Sequence, residues 1–208
     1  GQPLGWWSLV SAVAGTAALA WGLPRILAPA ARGVGPGIPS VVLTRALQAG
    51  AFFAAETILL VTLQNLRHYT PTEVGWALTV GSVGWTAASW LQSQRWVRWH
   101  RDTFITIGSL VTTAGLAGLA GFAWFTSLPL WFGLAFWIVA GLGMGFTMPS
   151  SAVAVMSLSP ASEQGRNQSS LQVAESVGNS VVTAVVGGIY TALLFAQKAT
   201  DPTAVIEA

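Results

Sequence analysis

From Thr103 to Ser162 the chain runs for 60 residues without an Asp, Glu, Lys, Arg or His. At ~1.5 Å per helical residue that run would reach about 90 Å, roughly three times the ~30 Å hydrocarbon core of a bilayer. It must fold back on itself, and the turn is read at TSLPL, Ser127 to Pro129. Charge is scarce elsewhere too: 8% of the 208 residues are charged and 53% hydrophobic, with a mean hydropathy of +0.61. So few charges cannot cover a water-soluble domain of this size. The composition is that of an all-α membrane protein.

Six apolar segments are long enough to span, at roughly residues 6–27, 41–64, 73–94, 103–126, 129–158 and 168–196. Lipid offers no hydrogen bonds, so each segment must satisfy its own backbone, and helices are the form that does so. Trp6, Trp7, Trp96, Trp99, Trp124 and Trp131 fall near the segment ends, where an amphipathic ring suits the interface. Arg25 and Arg32 follow the first segment, Arg45 lies just inside the second, and Arg95, Arg98 and Arg101 follow the third. The alternate joints hold Arg67 or no basic residue. The arginine-rich joints are therefore expected to be cytoplasmic, together with SPASEQGR before the last segment, and both chain ends to lie outside. The net charge of +2 and pI near 9.7 belong to this topology, and no nucleic-acid partner is expected. The opening GQPLGWWSL has neither Met nor a basic region before the apolar run, so no signal peptide is expected and the chain reads as part of something longer.

Polar groups inside the spans carry the functional signal. At ~100° per residue, Gln168, Gln172, Glu175, Asn179 and Thr183 lie within about 80° of one another on the last helix. Arg45, Gln48, Phe52 and Glu56 share a face of the second helix by the same arithmetic. A carboxyl within a span costs about 3 kcal/mol on insertion scales unless it faces other helices or water, so Glu56 and Glu175 are both site candidates. Both also admit a structural reading, Glu175 as interhelical glue with Gln172 and Asn179. Arg45 reads as a basic anchor reaching for the cytoplasmic interface. Gly141 and Gly145 in GLGMG, and the series Gly115, Gly118 and Gly121, are spaced for close helix contact. GLGMG is not a phosphate loop, since no strand precedes it and no Lys follows in register.

There are no cysteines, which excludes disulfides and cysteine-based metal sites. His68 and His100 fall in joints on opposite sides, too far apart to share a metal. No cluster of His, Asp and Ser stands at one depth, so neither an enzyme nor a cofactor is expected.

The order RALQAGAFFAAETILLVTLQNLRHYTPTEVGWALTVGSVGWTAASWLQSQ, then GLGMGFTMPSSAVAVMSLSPASEQGRNQSSLQVAESVGNSV, resembles the C-terminal half of a major facilitator superfamily transporter of the bacterial drug-efflux type. Three features carry the resemblance: YTPTEVGWALT opening a helix after an outside joint, MP late in a glycine-rich span, and SPASEQGRNQSS leading into a glycine-containing helix. The resemblance implies that the six segments correspond to helices 6 to 11. Residues 1–40 would be the last helix of the N-terminal half plus the cytoplasmic connection, and 41–208 the C-terminal bundle without its final helix. The missing N-terminal half of the same transporter is then an expected partner, alongside the lipid bilayer of the plasma membrane. The joint QSQRWVRWHRD stands where such transporters carry a gating loop, but it keeps the arginines and lacks the glycine, so topology signalling is the reading given to Arg95, Arg98 and Arg101.

What the resemblance implies for function is proton-coupled export of small amphipathic or drug-like compounds. Glu56 would be the proton carrier or the counter-ion of a cationic substrate, with Gln48 and Phe52 beside it and Gln172, Glu175 and Asn179 on the last helix. Protonation and cation binding compete at a single carboxylate, as exchange requires. A metabolite facilitator or importer of the same superfamily, and a non-transport membrane scaffold, are the alternatives.

Overall fold

The computed structural model describes residues 6–97, 99–125 and 127–200. Six helices follow in chain order: α1 (Trp6–Ile26), α2 (Ile38–Val61), α3 (Pro71–Gln92), α4 (Arg101–Trp124), α5 (Leu130–Ser157) and α6 (Gln164–Thr200). A 3-10 turn at Pro29–Ala31 follows α1, and a π turn at Thr62–Leu66 prolongs α2. Among the described residues there is no strand. Three spans, Ile38–Asn65, Arg101–Trp124 and Leu130–Ser157, are long and apolar enough by length and composition to cross a membrane.

Local chemistry sets the helix boundaries. Gly37 holds φ 87, a conformation that costs glycine nothing, and Pro39 supports the first turn of α2. At the start of α3, Thr70 accepts the Glu73 N–H at 3.4 Å while Glu73 accepts the Thr70 N–H at 2.8 Å, with Pro71 between them. This capping box explains why YTPTEVGW opens a helix. Pro129 likewise stands immediately before α5.

Helix α5 is central: it packs along α3 on one side and α4 on the other, and also meets α2 and α6. Alternate glycines make both contacts possible. A Cβ on Gly141 or Gly145 would strike the backbone of α3 at Gly81 or Trp85, and one on Gly143 would strike Thr112 of α4. Gly115 and Gly118 press against Ala140 and Phe136, but nothing lies within 4 Å of Gly121. Each three-residue step falls about 60° short of a full turn, so by Gly121 the series has rotated off the contact face. The expected three-glycine seam is therefore a two-glycine seam.

The second close pair is α2 with α6, where a Cβ on Gly50 would meet the Gly178 carbonyl oxygen at 2.6 Å and one on Gly178 would meet Ala46. Gly178→Val is expected to force these helices apart and destabilise the protein by about 3 kcal/mol, at the upper end of overpacking penalties. Thermal unfolding of the purified protein checks this. Gly121→Ala serves as the control, with its unfolding midpoint unchanged.

The helices alternate in direction. Pro36 to Val41, His100 to Asp102 and Ala154 to Leu158 surround one cavity of about 550 Å³, which places the starts of α2 and α4 beside the end of α5. The backbone N–H of Ala28 donates to Ser170 Oγ at 2.8 Å, tying the joint after α1 to the start of α6. At the opposite end, the Arg67 guanidinium donates to the carbonyls of Phe122, Phe125 and Leu128 and lies 4.0 Å over the Phe122 ring. Arg67 thus closes the carbonyl end of α4, a role for which its isolated position in a short joint carries no signal. Arg25, Arg32, Arg95, Arg101 and Arg166 all belong to the first of these two ends, and Arg98 lies outside the described residues.

Helix α1 is peripheral. Its described side chains from Val10 to Ala20 are exposed; Leu23, Pro24 and Leu27 border a cavity shared with Val42 and Ala174, and Ala28 and Ala31, just after the helix, join the buried cluster around Val41, Val42, Leu171 and Ala174. Large apolar side chains such as Leu47, Val83, Leu110 and Val185 cover the outside of the bundle. That surface suits lipid and would be a liability in water.

Candidate functional site

Moving along α2 from its arginine-rich end, the predicted side chains occupy successive layers. Arg45 comes first. Its guanidinium pairs with Glu175 of α6, Nη2 to Oε2 at 2.8 Å and Nε to Oε2 at 2.9 Å, with the two side chains 12% and 27% exposed. Nη1 also donates to the Met148 carbonyl and, at 2.6 Å, to Ser151 Oγ on α5. Arg45 therefore turns inward and joins three helices, rather than reaching for the interface. A charge so placed lowers its energy most by meeting its counter-charge and two further acceptors.

About one turn further, Gln48 is buried and its Nε2 donates to Thr112 Oγ1 at 2.7 Å and Thr147 Oγ1 at 3.0 Å, while Ser109 Oγ donates back to its Oε1 at 3.4 Å. This amide links α2 to α4 and α5. Next comes Phe52, 4% exposed, stacked on Trp137 with ring centroids 4.6 Å apart and edge-on to Trp85 at 5.9 Å. In this structure Phe52 is a packed core residue.

Glu56 completes the face, about 40° round the helix from Phe52 and one ~6 Å turn along it. It is half-buried and, among the described residues, makes no hydrogen bond or ion pair. The carboxylates of α2 and α6 thus differ in kind. Glu175 is neutralised by an arginine, whereas Glu56 stands unpaired.

The polar stripe of α6 does not act as one unit. The buried face of that helix centres on Leu171 and Ala174, so the stripe runs along its margin. Side chains on the inner margin reach the bundle: Gln168 donates to the Ala152 carbonyl at 2.6 Å and Glu175 meets Arg45. Gln172 is exposed with no hydrogen bond among the described residues, and Asn179 accepts only from Thr183, at 3.2 Å. The expected partnership of Glu175 with Gln172 and Asn179 is replaced by the pair with Arg45, because the guanidinium offers full charge across a packed contact.

Sequence reading missed the groups that complete these networks: Thr112, Thr147 and Ser151, and also Gln92 and Ser150, whose side chains bond to each other at 2.7 Å between α3 and α5. Single hydroxyls in an apolar span fit packing as well as bonding, so no spacing marks them. Gln92 did carry a signal, as an uncharged amide at the last turn of an otherwise apolar helix.

The family model described as the Major Facilitator Superfamily matches residues 41–196, which takes in α2 to α5 and most of α6. Neither a curated protein nor a solved structure matches the chain. A match over three-quarters of the sequence, on a bundle of packed apolar helices, decides the classification: the chain belongs to the Major Facilitator Superfamily, whose members are membrane transporters.

Proposed function

We propose that the chain is part of a proton-coupled exporter of small amphipathic or drug-like compounds, and that Glu56 is where proton and substrate exchange. One observation carries this reading: among the described residues Glu56 is the half-buried carboxylate of α2 that has no partner, while Glu175 is committed to Arg45. An unpaired carboxylate within a span persists at a cost, and its use is to take up a charge. Proton and cationic substrate would compete for that one place. Gln48 and Phe52 support Glu56 from the layers beneath it, and Gln172 and Asn179 face the margin of α6 that a substrate would pass.

In this reading all six helices cross the plasma membrane as helices 6 to 11 of the family, with the arginine-rich end in the cytoplasm. Residues 1–40 supply the end of the N-terminal half and the connection, and the rest of that half pairs with the bundle formed by 41–208. Substrate then sits between two bundles near the midplane.

The test uses the native protein in liposomes and the lipophilic cation ethidium. An imposed proton gradient should drive ethidium against its own gradient. Flux that ignores the proton gradient would instead favour the facilitator, and no flux the scaffold.

A further inference from the structure

Pro149 lies inside α5. Proline has no backbone N–H, so the carbonyl four residues earlier, that of Gly145, loses its helical hydrogen bond. Inside a bilayer no water replaces it. Helix α3 does: Gln92 Nε2 donates to the Gly145 carbonyl oxygen at 2.6 Å, and Ser89 Oγ reaches the same oxygen at 3.2 Å. The other end of the Gln92 amide accepts from Ser150 Oγ at 2.7 Å, on the residue that follows the proline. Gln92 and Ser150 are both buried. Their approach depends on Gly145, since a Cβ there would strike Trp85 and come within 2.7 Å of the Ala88 Cβ.

On the far side of the same turn, Arg45 donates to the Met148 carbonyl and to Ser151. The proline turn is therefore held by a neutral amide from α3 and by an ion-paired guanidinium from α2. Beyond it, α5 carries Trp137, which stacks on Phe52 one turn from Glu56 and whose buried Nε1 has no hydrogen-bond partner among the described residues. The arm that moves if α5 bends is thus the arm that touches the candidate site, and its packing leaves one donor unmet.

We infer that Pro149 is the hinge about which α5 moves during transport, and that Gln92 is a positioning residue that holds the hinge in the state seen here. A helix bends most readily where a rung of its ladder is absent. The freed carbonyl meets Gln92 only in this register of α3 against α5, so bending must break that bond. The transport role rests on the function proposed above, but the latch itself does not.

The experiment is hydrogen–deuterium exchange on the native protein, following the amides from Phe146 to Val153. Gln92→Leu should raise their exchange about tenfold, leaving α4 unchanged. Pro149→Ala restores an N–H to Gly145, so adding Gln92→Leu to it should cause almost no further rise. Should Gln92→Leu not fold, Ser150→Ala, which frees one end of the amide, should give a smaller rise that Pro149→Ala also cancels. Ethidium flux supplies the second readout: Gln92→Leu should change turnover and leave half-saturation as it was. If exchange behaves as expected and the wild type moves no ethidium, the latch stands and the transport reading falls. Exchange that is flat, or that rises equally with and without Pro149, overturns the latch whatever the flux.

Discussion

Glu56→Gln is expected to reduce proton-driven ethidium transport to the background of empty liposomes, while the protein remains inserted and folded. The amide keeps the volume and polarity of the side chain but can neither take a proton nor carry charge. Because Glu56 has no partner to lose among the described residues, the substitution should shift stability by no more than about 0.5 kcal/mol. Ethidium flux down its own gradient should fall less than the driven flux, since the mutant loses the counter-charge for ethidium along with the coupling. Reconstitution with and without an imposed proton gradient separates the two effects. Driven uptake at the wild-type rate in the mutant would remove Glu56 from the mechanism.

Arg45→Met should act in the opposite way, on stability first. It strands Glu175 and also withdraws donors from Met148 and Ser151. Breaking a buried pair from one side costs about 3–5 kcal/mol, and with Glu175 27% exposed the lower end of that range applies. The double variant Arg45→Met with Glu175→Leu should recover most of the loss, because no charge is left unpaired. Arg45→Lys should recover little, since a compact ammonium cannot serve a carboxylate, a carbonyl and a hydroxyl on two helices at once. Denaturant or thermal unfolding of the wild type, these three variants and Glu175→Leu alone completes the double-mutant cycle. If Arg45→Met proves as stable as the wild type, the clamp is a surface contact.

These two carboxylates show how far the sequence could be read. Period and composition located the helices, because lipid forces every span to be long, apolar and helical whatever it packs against. Helical arithmetic correctly placed Arg45, Gln48, Phe52 and Glu56 on one face of α2. It could not say what that face meets. Whether Phe52 lines a cavity or stacks on Trp137 depends on the rotation of α5, which is set by Gly141, Gly143 and Gly145 fitting two neighbours at once. Likewise Gln172 and Glu175 belong to one stripe, yet a rotation of about 60° separates an exposed amide from a carboxylate in an ion pair. Arg45 misled for a related reason: a basic residue near a helix end suits both an interface and an internal counter-charge, and only the position of α6 decides between them. The latch on Gly145 was hidden because a missing backbone N–H in one helix is answered by a side chain from another, which no local pattern records.

Exchange of a proton for a cation at one carboxylate, Glu56, has a direct signature, which is proton release on binding. Ethidium is added to the purified native protein in lightly buffered detergent solution and the pH change is followed. At a pH where Glu56 carries its proton, wild type should release up to one proton for each ethidium bound, as competition at a single group requires, and Glu56→Gln should release none. Equal release from both proteins would move the exchange to another group.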